Sequence, residues 1–218
     1  MLFSIFLIAC AYFMGAIPIG YLIVKKIINK DIRKFGSGGI GCTNVYRICK
    51  THNLSSRKCK KWAFLTFLGD FAKGLLPIVI VKFVLGYDSD YLLLFLIVIA
   101  PILGHCFSAF ISFKGGKAIA TSFGTIITIL GWEVSVSLII IFVVVFFFWK
   151  YVSLSSLIAS STLLLGRLLN IYISQENFFD SYVLWLTGAV IFIFLIAFIQ
   201  HRDNIMNLLK GKERKIRL

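Results

Sequence analysis

Uncharged apolar runs of bilayer-spanning length leave this chain few ways to fold. The first, Leu2 to Val24, is 23 residues without a charge, about 34 Å as a helix against a hydrocarbon core of roughly 30 Å. In hydrocarbon each backbone amide must be satisfied within its own element, so runs of this kind fold as helices. Six more apolar runs follow, at about 62–85, 91–111, 118–132, 134–149, 151–173 and 181–199, the second carrying Asp70, Lys73 and Lys82 and the sixth Arg167. The apolar centre of the fourth, Ala118 to Leu130, has only 13 residues, about 20 Å as a helix. Parity brings it in, since without it the basic C-terminal tail would fall on the outer side. The 218 residues are 59% hydrophobic with 22 Phe, and the mean hydropathy of +0.93 is far above that of a soluble domain. The expectation is an all-α polytopic membrane protein: one domain, 1–218, with seven transmembrane helices and a basic tail over 200–218.

Charge sets the orientation. A net charge of +14 invites comparison with nucleic-acid binders, but the basic residues lie between apolar runs rather than on a soluble face interleaved with aromatics. No nucleic-acid partner is expected. Read with the positive-inside rule, the chain has its N-terminus outside and its C-terminus in the cytoplasm, placing 20 of the 23 Lys and Arg on the inner side. No Lys or Arg precedes the first run and no A-x-A site follows it, which argues against a cleaved signal peptide. Lys82 and Arg167 read as side chains snorkelling outward, and the tail as an amphipathic helix on the inner leaflet. The five cysteines, at 10, 42, 49, 59 and 106, are odd in number and contain no C-x-x-C pair, so neither a disulfide framework nor a metal site is expected.

Three polar stretches then share the inner face. Gly36 to Arg47 reads GSGGIGCTNVYR. Glycines let backbone N–H groups approach an oxyanion, and Ser37, Thr43, Asn44 and Arg47 add hydroxyl, amide and guanidinium donors around Gly36, Gly38 and Gly41. Gly104 to Thr121 places His105 ahead of Lys114, Gly115, Gly116 and Lys117, which open a new apolar helix; free N–H groups, helix dipole and ammonium groups together suit an anion there. His201 and Asn204 stand at i and i+3 where the last span leaves the membrane. Within the second span, Asp70 and Lys73 share a helical face. They form either a structural ion pair or, through Lys73, part of a polar cavity. A phosphorylated, lipid-like substrate at the inner interface fits this set.

GSGGIGCTNVYR, DFAKG at 70–74, GHCFSAFISFKGGKAIATSFG from Gly104 and HRDNI at 201–205 together resemble, in order and spacing over the whole chain, the bacterial acyl-phosphate:glycerol-3-phosphate acyltransferases of the PlsY type. The resemblance implies a multi-pass enzyme of the bacterial inner membrane, its active site facing the cytoplasm. It would move a fatty acyl group from acyl phosphate to the 1-hydroxyl of glycerol 3-phosphate, giving lysophosphatidic acid, the first acylation of phospholipid synthesis. Membrane lipid and a cytosolic enzyme that makes acyl phosphate are the implied partners. None of His52, His105 and His201 begins the H-x-x-x-x-D pair of other acyltransferases of this step. Against the family pattern, Gly39 and Cys42 stand where Asn and Ala are usual, Ser108 replaces a Pro, and Ala118 replaces a Gly.

The chemistry asks for no metal, cofactor or covalent nucleophile, because a mixed anhydride carries a good leaving group and needs mainly positioning and oxyanion stabilisation. Ser37, Gly36, Gly38, Gly41, Thr43, Asn44 and Arg47 are assigned to one phosphate cradle. Lys114, Gly115, Gly116 and Lys117 serve the other, with Lys73 bridging and His105 at the helix end. His201, with a pKa able to sit near neutrality, is the candidate base, and Asn204 orients the hydroxyl. The substrate's own phosphate is the other candidate base. A transporter of phosphate esters or lipids is the competing function, though its mark, paired broken helices in two repeats, is absent from the sequence.

Overall fold

The computed structural model describes residues 1–216; Arg217 and Leu218, the end of the expected tail, lie outside the described residues. Among those described, six helical runs are long and apolar enough to cross a membrane, and the chain has an all-helical integral membrane fold.

The first run differs from its expected form. Pro18 has no N–H to donate and disfavours helix at the residue before it, so the run breaks into α1 (Leu2–Ala16) and α2 (Ile19–Ile28). Lys73, on α4 (Ser56–Val79), donates its ammonium to the carbonyl of Ile17 at 3.0 Å, inside that break. Its second contact is the Asp70 carboxylate at 2.9 Å. Both charges are buried, as in the structural reading of the pair, and the cation adds a second donor to a carbonyl that also accepts from the amide of Ile19 at 3.1 Å. α4 starts six residues before the expected 62, where Ser55 accepts from the amide of Lys58 and caps it, and it passes into a wide turn over Ile80–Val84.

α5 (Tyr91–Cys106) runs on through Pro101, and Gly104 is used for packing instead of unwinding the helix. A β-carbon at Gly15 would meet the backbone of Pro101, and one at Gly104 the backbone of Tyr12 and Ala16. Glycines on both faces thus bring α1 and α5 into close contact, as small residues do between membrane helices. Ser108 follows, fully buried, and its hydroxyl donates to the carbonyl of Ala16, a job the usual proline could not do. The expected fourth and fifth runs fall within one helical run, α6 (Ile119–Trp149), which loses helical geometry at Gly131 (φ 85°, ψ 178°), one residue after the short apolar stretch ends. α7 (Val152–Ile173) and α8 (Ser181–Gln200) fall within one residue of their expected limits. Arg167 on α7 does not snorkel: it is buried, 2.9 Å from Glu176, and its other nitrogens donate to Thr187 and Asn170.

Helices α5, α6, α7 and α8 enclose the core formed by Ile102, Ile126, Leu138, Leu163, Val190 and Ile193. On one side of the bundle a separate cluster of Val24, Ile32, Ile40, Val45 and Ile48 anchors α3 (Cys42–Thr51) and both ends of the first glycine stretch. α9 (Arg202–Leu209) turns away from α8 at His201. The amphipathic tail helix is therefore only eight residues long, and the chain beyond it folds back over the site.

Candidate active site

The first glycine stretch is suspended between buried Ile32 and Ile40. Gly36 and Gly38 take φ of +59° and +72°, a region that costs a residue with a β-carbon about 1–2 kcal/mol. Asn44 fixes the shape of the loop. Its Oδ1 accepts from the amide of Ser37 at 3.1 Å, and its Nδ2 donates to the carbonyls of Gly39 at 2.7 Å and Phe35 at 3.1 Å. The buried Asn44 amide thus belongs to the loop and is not free for phosphate, which corrects its assignment to the cradle. What this geometry leaves open is the Ser37 hydroxyl and the first turn of α3, whose N–H groups carry the positive end of the helix dipole.

The second stretch departs further from expectation. The amide of Gly115 donates to Cys106 O at 3.1 Å, Gly116 to His105 O at 2.9 Å and Lys114 to Ile111 O at 3.3 Å. Those N–H groups are consumed by the end of α5 and by the turn that follows it, and are not offered to an anion. The glycines are there for room: a β-carbon at Gly115 would overlap the carbonyl oxygen of His105, and one at Gly116 its imidazole. His105 itself is buried with Nδ1 3.6 Å from Asp70, so it supports this loop from beneath.

A cavity of about 590 Å³ lies between the two stretches. Ser37, Gly41, Thr43, Asn44, Arg47, His105, Gly116, Lys117, His201 and Asn204 all border it. Lys114, Gly115 and Gly38 border instead a neighbouring cleft of about 580 Å³, with Arg33 and Lys34. Gly36 and Lys73 line neither. The expected four-residue Lys114–Lys117 cradle is thus split by its own turn, with Lys117 alone bringing an ammonium to the main cavity.

Below this polar mouth the cavity continues between α4, α6, α7 and α8 as an apolar shaft lined by Phe67, Phe123, Ile126, Phe142 and Leu163. Along α7 its lining runs from Ser153 to Leu163, about 15 Å at the helical rise.

Burial tunes the groups at the mouth. It lowers the pKa of Arg47, helped by nearby Arg214, and it lowers that of Lys117, where Glu213 opposes the shift. Both are cations whose lost hydration an anion would replace. Burial, and then the charge of Lys117, push His201 down to about 4, so the ring is neutral at pH 7 and not poised near neutrality as the sequence suggested. Its Nδ1 lies 2.7 Å from the carbonyl of Ala197. A carbonyl only accepts, so Nδ1 carries the proton and Nε2 keeps a lone pair. Cys42 borders the cavity too, but burial and Asp70 raise its thiol pKa, which argues against a thiolate nucleophile.

Three residues at the mouth escaped the sequence reading. Glu213 Oε1 accepts from Ser153 Oγ and from Asn204 Nδ2, each at 2.7 Å, while Lys117 Nζ donates to Asn204 Oδ1. Arg214 Nη1 donates to the carbonyl of Gly36 at 2.7 Å. The one available signal was a lone acid, Glu213, in the basic run of 210–217.

Residues 5–211 match the sequence pattern of a family described as glycerol-3-phosphate acyltransferase. Proteins named glycerol-3-phosphate acyltransferase from Helicobacter pylori and Campylobacter concisus are 35% and 36% identical to the chain. The alignments cover 94% of this chain and 91% of the former, and 98% of this chain and of the latter. The fold superposes on the crystal structure of PlsY (YgiH), an integral membrane glycerol 3-phosphate acyltransferase, in its glycerol 3-phosphate form. The TM-score is 0.81 at 30% identity, over 98% of this chain and 96% of the other. The lysophosphatidic acid form of that protein matches with a TM-score of 0.78, also at 30% identity, over 98% and 95% of the two chains.

Proposed function

The chain belongs to the glycerol-3-phosphate acyltransferase family, and from that premise we propose that it transfers a fatty acyl group from acyl phosphate to the 1-hydroxyl of glycerol 3-phosphate. The products are lysophosphatidic acid and inorganic phosphate. The observation that carries this reading is the cavity in which a cationic mouth, with Arg47 and Lys117, continues into a shaft lined mainly by apolar side chains. A fatty acid joined to phosphate has the same two ends.

In this reaction the glycerol hydroxyl attacks the acyl carbonyl, a tetrahedral oxyanion forms, and its collapse expels phosphate with the C–O bond electrons. Arg47, Ser37 and the first turn of α3 hold one phosphate. Lys117 lies across the mouth, where charge builds on the oxyanion and the leaving phosphate. His201 accepts the hydroxyl proton at Nε2, and Asn204, held by Glu213, fixes the direction of attack. Lys114 faces the neighbouring cleft and takes no part in bond making. Seven crossings are proposed, the break at Gly131 dividing α6 into two legs. This puts the N-terminus outside and the site on the cytoplasmic face of the bacterial inner membrane, where a cytosolic enzyme would deliver acyl phosphate.

Purified protein given long-chain acyl phosphate and glycerol 3-phosphate is expected to release phosphate and lysophosphatidic acid one for one. Folded protein that moves either compound across vesicles and makes no product sinks the transferase reading in favour of a transporter. The pH profile of kcat identifies the base. A depressed pKa keeps His201 unprotonated at every pH above it, so with His201 as base the acid limb falls near pH 4. Were the substrate phosphate the base, the limb would fall at about 6.

A further inference from the structure

Beyond α9 the chain reverses at Gly211 (φ 64°), and residues 212–216 cross the cavity mouth. The amide of Ile216 donates to Lys150 O at 3.0 Å, on the far bank, and Lys215 Nζ lies 5.3 Å from the ring of Tyr151. Between these points Glu213 is fully engaged by Ser153 and Asn204. Among the described residues, the Arg214 guanidinium donates at its tip to the Gly36 carbonyl, while its own carbonyl accepts from Arg47 Nη2 at 3.2 Å.

We propose that this C-terminal segment is a strap that carries a substrate-binding guanidinium, Arg214, into the site, so that a phosphate group held between Arg47 and Arg214 binds the substrate and fastens the strap. Arg214 borders the same cavity as Arg47 and Lys117. Three cations gather there against a nearby carboxylate, Glu213, whose hydrogen bonds go to the neutral donors Ser153 and Asn204. Like-charged guanidiniums drawn together at a half-buried site repel until an anion lies between them, and a phosphate dianion matches two planar forks in shape and charge. Burial, and then the charge of Arg214, lower the pKa of Arg47, with Glu213 opposing.

Lys212, Arg214 and Lys215 are exposed, and the strap is held by polar contacts without a buried apolar side chain, the kind of segment that opens readily. Reciprocity then follows: whatever the docked strap adds to phosphate affinity, bound phosphate adds to strap docking. The proposal depends on the transferase reading for which phosphate compound binds, though not for the phosphate chemistry.

The test uses the full chain in detergent. Trypsin cleavage after Lys212, Arg214 and Lys215 is timed in chloride, in inorganic phosphate and in glycerol 3-phosphate at equal ionic strength. Phosphate in either form is expected to slow cleavage about tenfold, within the usual range of site coupling. Arg214→Ala should abolish that protection at Lys212 and Lys215 and raise the KM for glycerol 3-phosphate about tenfold, with partial rescue by Arg214→Lys. Protection by inorganic phosphate in a protein that makes no lysophosphatidic acid would retain the strap and discard the transferase reading. Normal turnover with an unchanged KM in Arg214→Ala, and cleavage indifferent to phosphate, overturns the strap.

Discussion

The two glycine stretches read alike in sequence and are built on opposite principles. In the first, Gly36 and Gly38 supply positive φ and the buried Asn44 amide holds the loop from inside, leaving its outer surface to the cavity. In the second, Gly115 and Gly116 take their form from the end of α5, to which their amides are bonded and against which they lie without space for a methyl group. One is a binding surface that glycine shapes. The other is a packing joint that glycine permits, and it aims the single ammonium of Lys117 at the site. Glycine density therefore marks where the backbone is unusual without saying why.

If that contrast is right, the largest effect comes from the joint. Gly115→Ala sets a methyl group into the carbonyl of His105, backbone that cannot move without shifting α5. Overpacking of this kind costs on the order of 3 kcal/mol. Lys117 is displaced with the loop, and the expected outcome is a loss of lysophosphatidic acid synthesis of a hundredfold or more with a lowered thermal midpoint in detergent. A variant of near-normal rate would mean that the second stretch is not a packing joint.

Next in size is Asn44→Ala. It strips the Gly39 and Phe35 carbonyls and the Ser37 amide of their partner, for about 2–3 kcal/mol. The released loop should raise the KM for glycerol 3-phosphate more than it lowers the thermal midpoint. Asn44→Asp discriminates further: it keeps an acceptor for Ser37 but sets a carboxylate against two carbonyl oxygens. Were Asn44 a phosphate ligand and not a loop pin, a charge-repelling Asp would abolish binding and leave stability untouched.

The comparison also explains what the sequence reveals. Apolar run length locates α7 and α8 within a residue, because membrane insertion is set by composition over about 20 residues. It misses the break at Ile17–Pro18, since hydropathy is blind to hydrogen bonding and the cation answering that break, Lys73, lies 56 residues away. Site residues follow the same rule. Ser37, Arg47, Lys117, His201 and Asn204 are recognisable by type and share one cavity. The roles of Asn44 and of Lys114 are not legible, because each depends on which way one turn faces. Glu213 and Arg214 are hidden for a further reason: their partners at Ser153 and Gly36 are 60 and 178 residues distant, and a basic tail after a last span reads as a lipid-facing helix.

A smaller effect, of opposite sign, is expected at the end of the joint. Ala118 caps α6 with φ of +57°, in the left-handed region where a β-carbon costs about 1–2 kcal/mol. Ala118→Gly removes that cost and should raise the thermal midpoint by a few degrees with no change in kcat. A drop instead would show that the buried methyl group of Ala118, packed with Ile126 and Ile193, outweighs backbone strain.

The smallest effect belongs to the open face of the first loop. Gly39 is not among the residues at positive φ, and a β-carbon there would come no nearer than 3.8 Å to Ser37 Oγ. Nothing in the backbone requires glycine at this position, in contrast to Gly36 beside it. Gly39→Ala should therefore leave stability within about 0.5 kcal/mol and the KM for glycerol 3-phosphate within twofold. Gly39→Asn, the residue the family resemblance leads one to expect here, places an amide at the cavity edge that can lower that KM but has no structural reason to raise it. If Gly39→Ala proved as damaging as Gly115→Ala, the first stretch would be a packing joint as well, and the distinction between a loop that binds and a loop that fits would fail at its most exposed point.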